Sequence, residues 1–224
     1  NPQLKMPFKR YQMDKVWRDG PVGMGRYREF WQCDVDLVGT KSMMADAEVL
    51  AIAKKAMDSF KLKCKINVNN RKILNGILGS IGVKTKDEKI DFILTIDKIK
   101  KISDKEFVTE LKEKGLSSDQ VKRVKEIFSI KGDNRNKLNE ISKYTTDEEG
   151  KVGIKELSEL FDLLDSYKIK NYEFDLTLSR GLVFYTGTVF ETFLTDNKIK
   201  SAVASGGRYD EIISRFLDSK LEYP

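Results

Sequence analysis

The middle of this chain follows a different periodicity from its two ends. Residues 84–166 carry apolar side chains at helical spacing: Ile90, Ile93, Leu94 and Ile99, then Phe107, Val108 and Leu111, then Val121, Val124, Ile127 and Phe128. On either side the spacing is two, as β-strands require. Tyr11, Met13, Lys15 and Trp17 alternate with their neighbours, and so do Tyr172, Phe174, Leu176 and Leu178. A β-rich core interrupted by a helical insertion accommodates both patterns. The expected class is α+β: an antiparallel sheet flanked by helices, with residues 1–83 as the first part of the core, 84–166 as the insertion and 167–224 as the second part of the core. Ser117-Ser118-Asp119-Gln120 is a capping-box signature inside the insertion. Asp133-Asn134-Arg135-Asn136 reads as a polar break, and a last helix is expected from about Gly153 to Tyr167.

In the first part, Phe8 to Arg18 and Arg26 to Asp36 read as strands. Asp19 to Gly25, with three glycines and one proline, joins them as a long-looped hairpin. The second strand has two unlike faces. Tyr27, Glu29, Trp31, Cys33, Val35 and Leu37 form a mostly apolar face suited to packing on a helix. Arg26, Arg28, Phe30, Gln32, Asp34 and Asp36 form the other, ordered from cations through a flat ring to carboxylates. The plain alternative for that face is simple solvation. A ligand with a phosphate end, a flat base and an amine end would match the order.

A helix is expected to open at Asp46 and run to about Phe60. A strand follows from Leu62 to Val68 with Lys61, Lys63 and Lys65 on one face, and Asn69-Asn70 turns the chain into a short helix with Ile73, Leu74, Ile77 and Leu78. After the insertion, Leu182 to Leu194 and Ile199 to Ala204 read as strands, with a short helix at Ile212, Ile213 and Phe216.

The net charge of +6 admits an anionic partner such as RNA or a nucleotide. The chain has no histidine, which excludes Ser-His-Asp chemistry and His-ligated metal within this segment. Cys33 and Cys64 have no paired spacing, so a zinc site or disulfide framework is not expected, and a reducing cytoplasm is the default. No apolar run reaches the roughly 18 residues of a membrane span.

Three motifs, in order, resemble the histidyl-tRNA synthetases of class II. Arg18 with the Gly-rich loop and Gly25 to Asp34 resembles motif 2. Arg180-Gly181-Leu182-Val183-Phe184-Tyr185-Thr186-Gly187 resembles the first histidine motif, and Ser205-Gly206-Gly207-Arg208-Tyr209-Asp210 the second. The Gln32 to Asp36 wording is closer to archaeal and eukaryotic members. The resemblance implies a catalytic-domain fragment without motif 1, motif 3 or the anticodon-binding domain, inactive by itself and homodimeric in its full-length form. It implies ATP with Mg2+, histidine and the tRNA(His) acceptor end as partners.

It also implies roles. Arg18 and Arg180 are the catalytic cations on either side of the α-phosphate. Arg18, Arg26, Arg28 and Phe30 bind ATP, with Phe30 under the adenine. Gln32, Asp36, Arg180, Tyr185 and Tyr209 hold histidine, with Asp36 and Tyr185 serving the ring nitrogens. Val183, Phe184 and Gly20 depart from residues common in the family. The alternative reading is a non-catalytic relative that senses tRNA or regulates another enzyme. A generic RNA-binding protein stands third.

Overall fold

A computed structural model describes residues 4–180, 184–196 and 199–216. The chain opens with β1 (Phe8–Trp17) and β2 (Glu29–Val38), which pair antiparallel as a two-stranded sheet of their own, with Phe8 opposite Val38 and Trp17 opposite Glu29. Then come α1 (Met43–Ser59), β3 (Cys64–Asn70) and α2 (Arg71–Ser80). Five helices follow: α3 (Lys86–Ile96), α4 (Asp104–Glu113), α5 (Ser118–Phe128), α6 (Asn134–Ser142) and α7 (Glu148–Ser166). The chain returns to strands with β4 (Tyr172–Phe174), β5 (Thr188–Leu194) and β6 (Ala204–Gly207), and α8 (Ile212–Phe216) is the last described element.

The main sheet has the order β4-β3-β5-β6. It is mixed: β3 runs parallel to β4 and antiparallel to β5, and β5 antiparallel to β6. Ile66 and Val68 of β3 and Phe190 of β5 share one buried cluster with Leu50 of α1, Ile73, Leu74 and Ile77 of α2, and Leu157, Leu160, Phe161 and Leu164 of α7. The same cluster extends through Phe92, Phe107, Leu111, Val124, Ile127 and Ile141 of the middle helices. The fold is therefore α+β, helices against one face of a sheet.

The helix starts are chemically explicit. Thr85 with Glu88, Ser103 with Glu106 and Ser117 with Gln120 each close a reciprocal capping box at α3, α4 and α5. The helical pattern does break before Asn134, but the polar stretch itself goes on as a helix. Asp133 accepts from the Asn136 N–H and caps α6, a helix whose core contribution is only Leu138 and Ile141. Helix α1 is capped by Ser42, so Asp46 lies in its first turn instead of opening it, and α7 starts at Glu148, earlier than its apolar periodicity suggests. Strand β3 continues through Asn70, which caps α2. Residues 199–203 are not a strand, and β6 is confined to Ala204–Gly207. The start of the expected strand at Leu182 lies outside the described residues.

One expectation is met only in part. The face of the hairpin bearing Tyr11, Met13, Trp17 and Trp31 is open over most of its length, with Tyr11 75% and Trp31 67% exposed; its far end, where Lys9 ion-pairs with Glu48 of α1 beside Leu37, meets a helix. Burial in the hairpin follows position along it instead of face: Asp34 to Val38 are all half-buried, as are Phe30 and Val16, while Gln32 is exposed. Alternation separates two faces but does not say how far along the strand the molecule covers them.

Candidate functional site

The candidate site joins two groups of side chains. The hairpin supplies the first. The Arg18 guanidinium lies 4.3 Å over the Phe30 ring, and its Nε donates to the Tyr27 carbonyl at 3.2 Å. One face of Phe30 is thus held by a cation. Two residues along β2, the Gln32 amide donates to Asp34 at 2.8 Å. Two further on, Asp36 faces Arg10 at 3.3 Å. The period of two places Phe30, Gln32, Asp34 and Asp36 on one side. Arg26 and Arg28 are exposed. Arg26 closes the loop through paired backbone bonds with Gly23, at 2.9 and 3.0 Å, and its side chain folds toward Gly20.

The main sheet supplies the second group. Arg180 has a left-handed backbone, φ 52°, and its Nη1 donates to Glu191 at 3.1 Å. Its guanidinium stands 5.8 Å from the Tyr185 ring, which is buried and packs on Phe184 at 4.7 Å. Leu178, Val189 and Tyr209 complete this small cluster. Burial pushes the Tyr185 phenol up from its ordinary value. Burial first, then the nearby Asp97 charge, also raises the Glu191 carboxyl against the pull of Arg180.

The glycine pair in Ser205-Gly206-Gly207-Arg208-Tyr209-Asp210 exists because rings lie on both sides of it. A Cβ on Gly206 would come 2.9 Å from the Phe190 ring, and one on Gly207 would come 2.8 Å from the Tyr185 ring. Arg208 is fixed by a bond to the Thr40 carbonyl at 3.2 Å and by ion pairs with Asp46 and Asp210. It therefore ties β6 to the start of α1.

A hydrogen bond bridges the two groups. The Tyr209 hydroxyl donates to Asp36 Oδ1. Burial, then this hydrogen bond and the Asp36 charge, hold the Tyr209 phenol far above its ordinary range. The hairpin carboxylate is thereby set next to the Tyr185 and Arg180 cluster. Asp36, Tyr209, Tyr185 and Arg180 come together, and Arg18 and Phe30 come together. Gln32 bonds within the hairpin, and Arg26 and Arg28 stay at its solvent end. Val183 lies outside the described residues.

Three participants escape a sequence reading. Glu191 is the partner of Arg180; its signal was a lone acid in the apolar run Thr188–Leu194. Arg10 reaches Asp36, but reads as one more surface cation on β1. Asp46 looks like a helix opener and is instead the partner of Arg208. Such an array offers cations to a carboxylate or phosphate, and carboxylates and phenols to an amine or a ring N–H.

Comparison with known proteins identifies the family. The family model described as histidyl-tRNA synthetase matches residues 4–222. The histidine–tRNA ligase 1 of Bacillus cereus is 41% identical over all of this chain, and histidine–tRNA ligase 2 of Shouchella clausii 42%; the chain spans 52% of the length of each. Both are bacterial, so the wording of Gln32 to Asp36 does not by itself place the chain among archaeal or eukaryotic members. The crystal structure of histidyl-tRNA synthetase from Nostoc superposes with a TM-score of 0.86 at 30% identity, covering 99% of this chain and 52% of that one. A Bacillus halodurans structure described as an ATP phosphoribosyltransferase regulatory subunit/histidyl-tRNA synthetase superposes at 0.82 with 25% identity, covering 99% of this chain and 56% of that one. The chain belongs to the histidyl-tRNA synthetase family.

Proposed function

We propose that this chain is the histidine-activating part of a histidine–tRNA ligase, which joins histidine to ATP as histidyl-adenylate and then transfers it to the acceptor end of tRNA(His). The observation that carries the reading is the Tyr209–Asp36 bond, which sets the hairpin carboxylate against Tyr185 and Arg180. In this reading Asp36 accepts from one imidazole N–H and Tyr185 serves the other nitrogen. Gln32 and Tyr209 bound the amino end and the pocket wall. Amino acids without the ring nitrogens would leave these buried groups unpaired and be rejected.

Activation brings two anions together, the histidine carboxylate and the α-phosphate. The carboxylate oxygen attacks phosphorus in line, and pyrophosphate leaves with the electron pair of the broken P–O bond. Fixed cations lower the cost of that approach and of the charge building on the phosphoryl oxygens. Arg180 takes the carboxylate and α-phosphate from one side, and Arg18 the α-phosphate from the other. Arg26 and Arg28, at the open end of the hairpin, suit the distal phosphates. Phe30, held on one face by Arg18, offers its ring to adenine. Mg2+ brought in with ATP would supply charge neutralisation to its phosphates. The full-length protein is proposed to work as a homodimer. The division into a core at 1–83 and 167–224 with an insertion at 84–166 is part of the same proposal, the insertion lying near the acceptor stem.

The test is histidine-dependent ATP–pyrophosphate exchange by the full-length protein. Arg180→Ala is expected to lower exchange by roughly 10²–10³-fold with the fold intact. Near-normal exchange would sink the catalytic role of Arg180. Histidine binding without exchange in the unmutated protein would favour a regulatory relative instead.

A further inference from the structure

The backbone that carries Arg180 is gripped by a row of side chains at the end of β3 and the start of α2. Asn67, Asn69 and Arg71 recur with period two across the end of β3 and the first residue of α2. Asn67 donates to Asp175 at 3.0 Å. Asn69 is fully buried, and its amide donates to the carbonyls of Leu176 at 3.1 Å and Leu178 at 2.9 Å. Its own oxygen accepts from the Asn70 N–H at 2.8 Å. Arg71, only 5% exposed, donates through Nη1 to the Ser179 carbonyl at 2.9 Å. Its backbone N–H donates to the Gly187 carbonyl at 2.8 Å. Arg71 therefore holds the carbonyls of both Ser179 and Gly187.

Two features make this grip costly. Arg71 forms no ion pair with a carboxylate among the described residues, although a buried charge ordinarily needs one. Arg180 holds the left-handed backbone that a side chain disfavours by about 1–2 kcal/mol, and such strain persists only where the surroundings over-determine it. The bonds to Leu176, Leu178 and Ser179 are that surrounding structure. Ser179 is also tied by its hydroxyl to the Ile93 carbonyl at 3.2 Å.

We propose that Arg71 and Asn69 are positioning residues for Arg180: they clamp the carbonyls of Leu176, Leu178, Ser179 and Gly187 and so hold the Arg180 guanidinium between Glu191 and Tyr185. The proposal rests on the catalytic reading of Arg180. It explains why an arginine stands at position 71. A lysine carries the charge but lacks the planar fork.

The experiment compares Arg71→Lys with the unmutated full-length protein, alone and combined with Arg180→Lys. The expected result for Arg71→Lys is a fall in kcat of exchange of about 10–100-fold. The KM for ATP should stay near its original value. Amide hydrogen exchange in 176–187 should quicken while the melting temperature moves by a few degrees at most. In the Arg180→Lys background the same replacement should cost less than about twofold, since coupled residues are not additive. Equal factors in both backgrounds, or unchanged kcat, would overturn the proposal. If Arg71→Lys does not fold, Asn69→Ser carries the same expectations. If the unmutated protein shows no exchange activity, the functional reading fails first. The clamp is then judged by hydrogen exchange alone, where unchanged protection of 176–187 would refute it.

Discussion

Gly207 sits where a methyl group would run into the Thr188 carbonyl and the Tyr185 ring at once. Neither neighbour is the loose end of a flexible chain. Gly207→Ala should therefore destabilise by about 1–3 kcal/mol, the usual cost of overpacking, as read by denaturant unfolding. Asp36→Asn removes the charge that meets Tyr209 and Arg10 but keeps the shape. It should raise the KM for histidine far more than the KM for ATP in pyrophosphate exchange, and equal losses would argue against Asp36 as reader of the imidazole. Asp175 concerns stability and not binding. Burial works to raise its carboxyl, yet hydrogen bonds from Lys100 and Thr177 outweigh burial and leave it below the ordinary 3.8. A depressed carboxyl contributes stability above its unfolded pKa and loses it as pH falls through the folded one. The unfolding free energy should thus drop on the acid side of about pH 4, and the drop should be shallower in Asp175→Asn.

Helices α2 and α7 approach closely enough that their backbones nearly touch. A Cβ on Gly153 would lie 2.8 Å from the Ile73 nitrogen, and one on Gly76 would lie 2.7 Å from the Gly150 Cα. Alanine in a helix interior is worth about 1 kcal/mol over glycine, so the two effects oppose each other. Here the neighbour is backbone, and it yields only if the helices separate. Gly153→Ala is expected to destabilise by about 1–2 kcal/mol net in thermal unfolding; a stabilising result would show that the helix pair is loose.

The same elements show what periodicity reveals. The hairpin, α3, α4 and α5 were legible because alternation, glycine-rich turns and capping boxes are local signals. Helix α6 was not, because its two buried residues, Leu138 and Ile141, make too thin a stripe in a polar stretch. Residues 199–203 looked like a strand because Ile199 and Val203 are β-branched, whereas regular pairing with β5 spans Ala204–Gly207 and beyond it the Val203 N–H reaches the Thr192 carbonyl. At the site, Asp36, Tyr185, Tyr209 and Arg180 could be nominated from motifs. Glu191 and Arg71 could not, since their partners lie 11 and 108 residues away and are set by tertiary contact.

On the scale of the whole molecule, the hairpin is a separate two-stranded sheet, while the four-stranded sheet shares a buried core with the helices. Two-stranded hairpins have little stability of their own. Both tryptophans, Trp17 and Trp31, lie on the hairpin. Tryptophan fluorescence therefore reports the hairpin, and far-ultraviolet dichroism reports chiefly the helices. The two thermal transitions should not coincide, with fluorescence changing first; coincident curves would show the chain unfolding as one unit.

The bond from Tyr209 to Asp36 gives that separation a further meaning. It is one of a few ties across the join, and the proposed histidine pocket straddles the same join. A molecule bound there acts as a removable rivet between two parts of unequal strength. By mass action, histidine at about 100 times its dissociation constant would add near 2.7 kcal/mol to the joined state alone. Saturating histidine should then draw the fluorescence transition up toward the dichroism transition, so that occupancy of the pocket becomes readable as cooperativity.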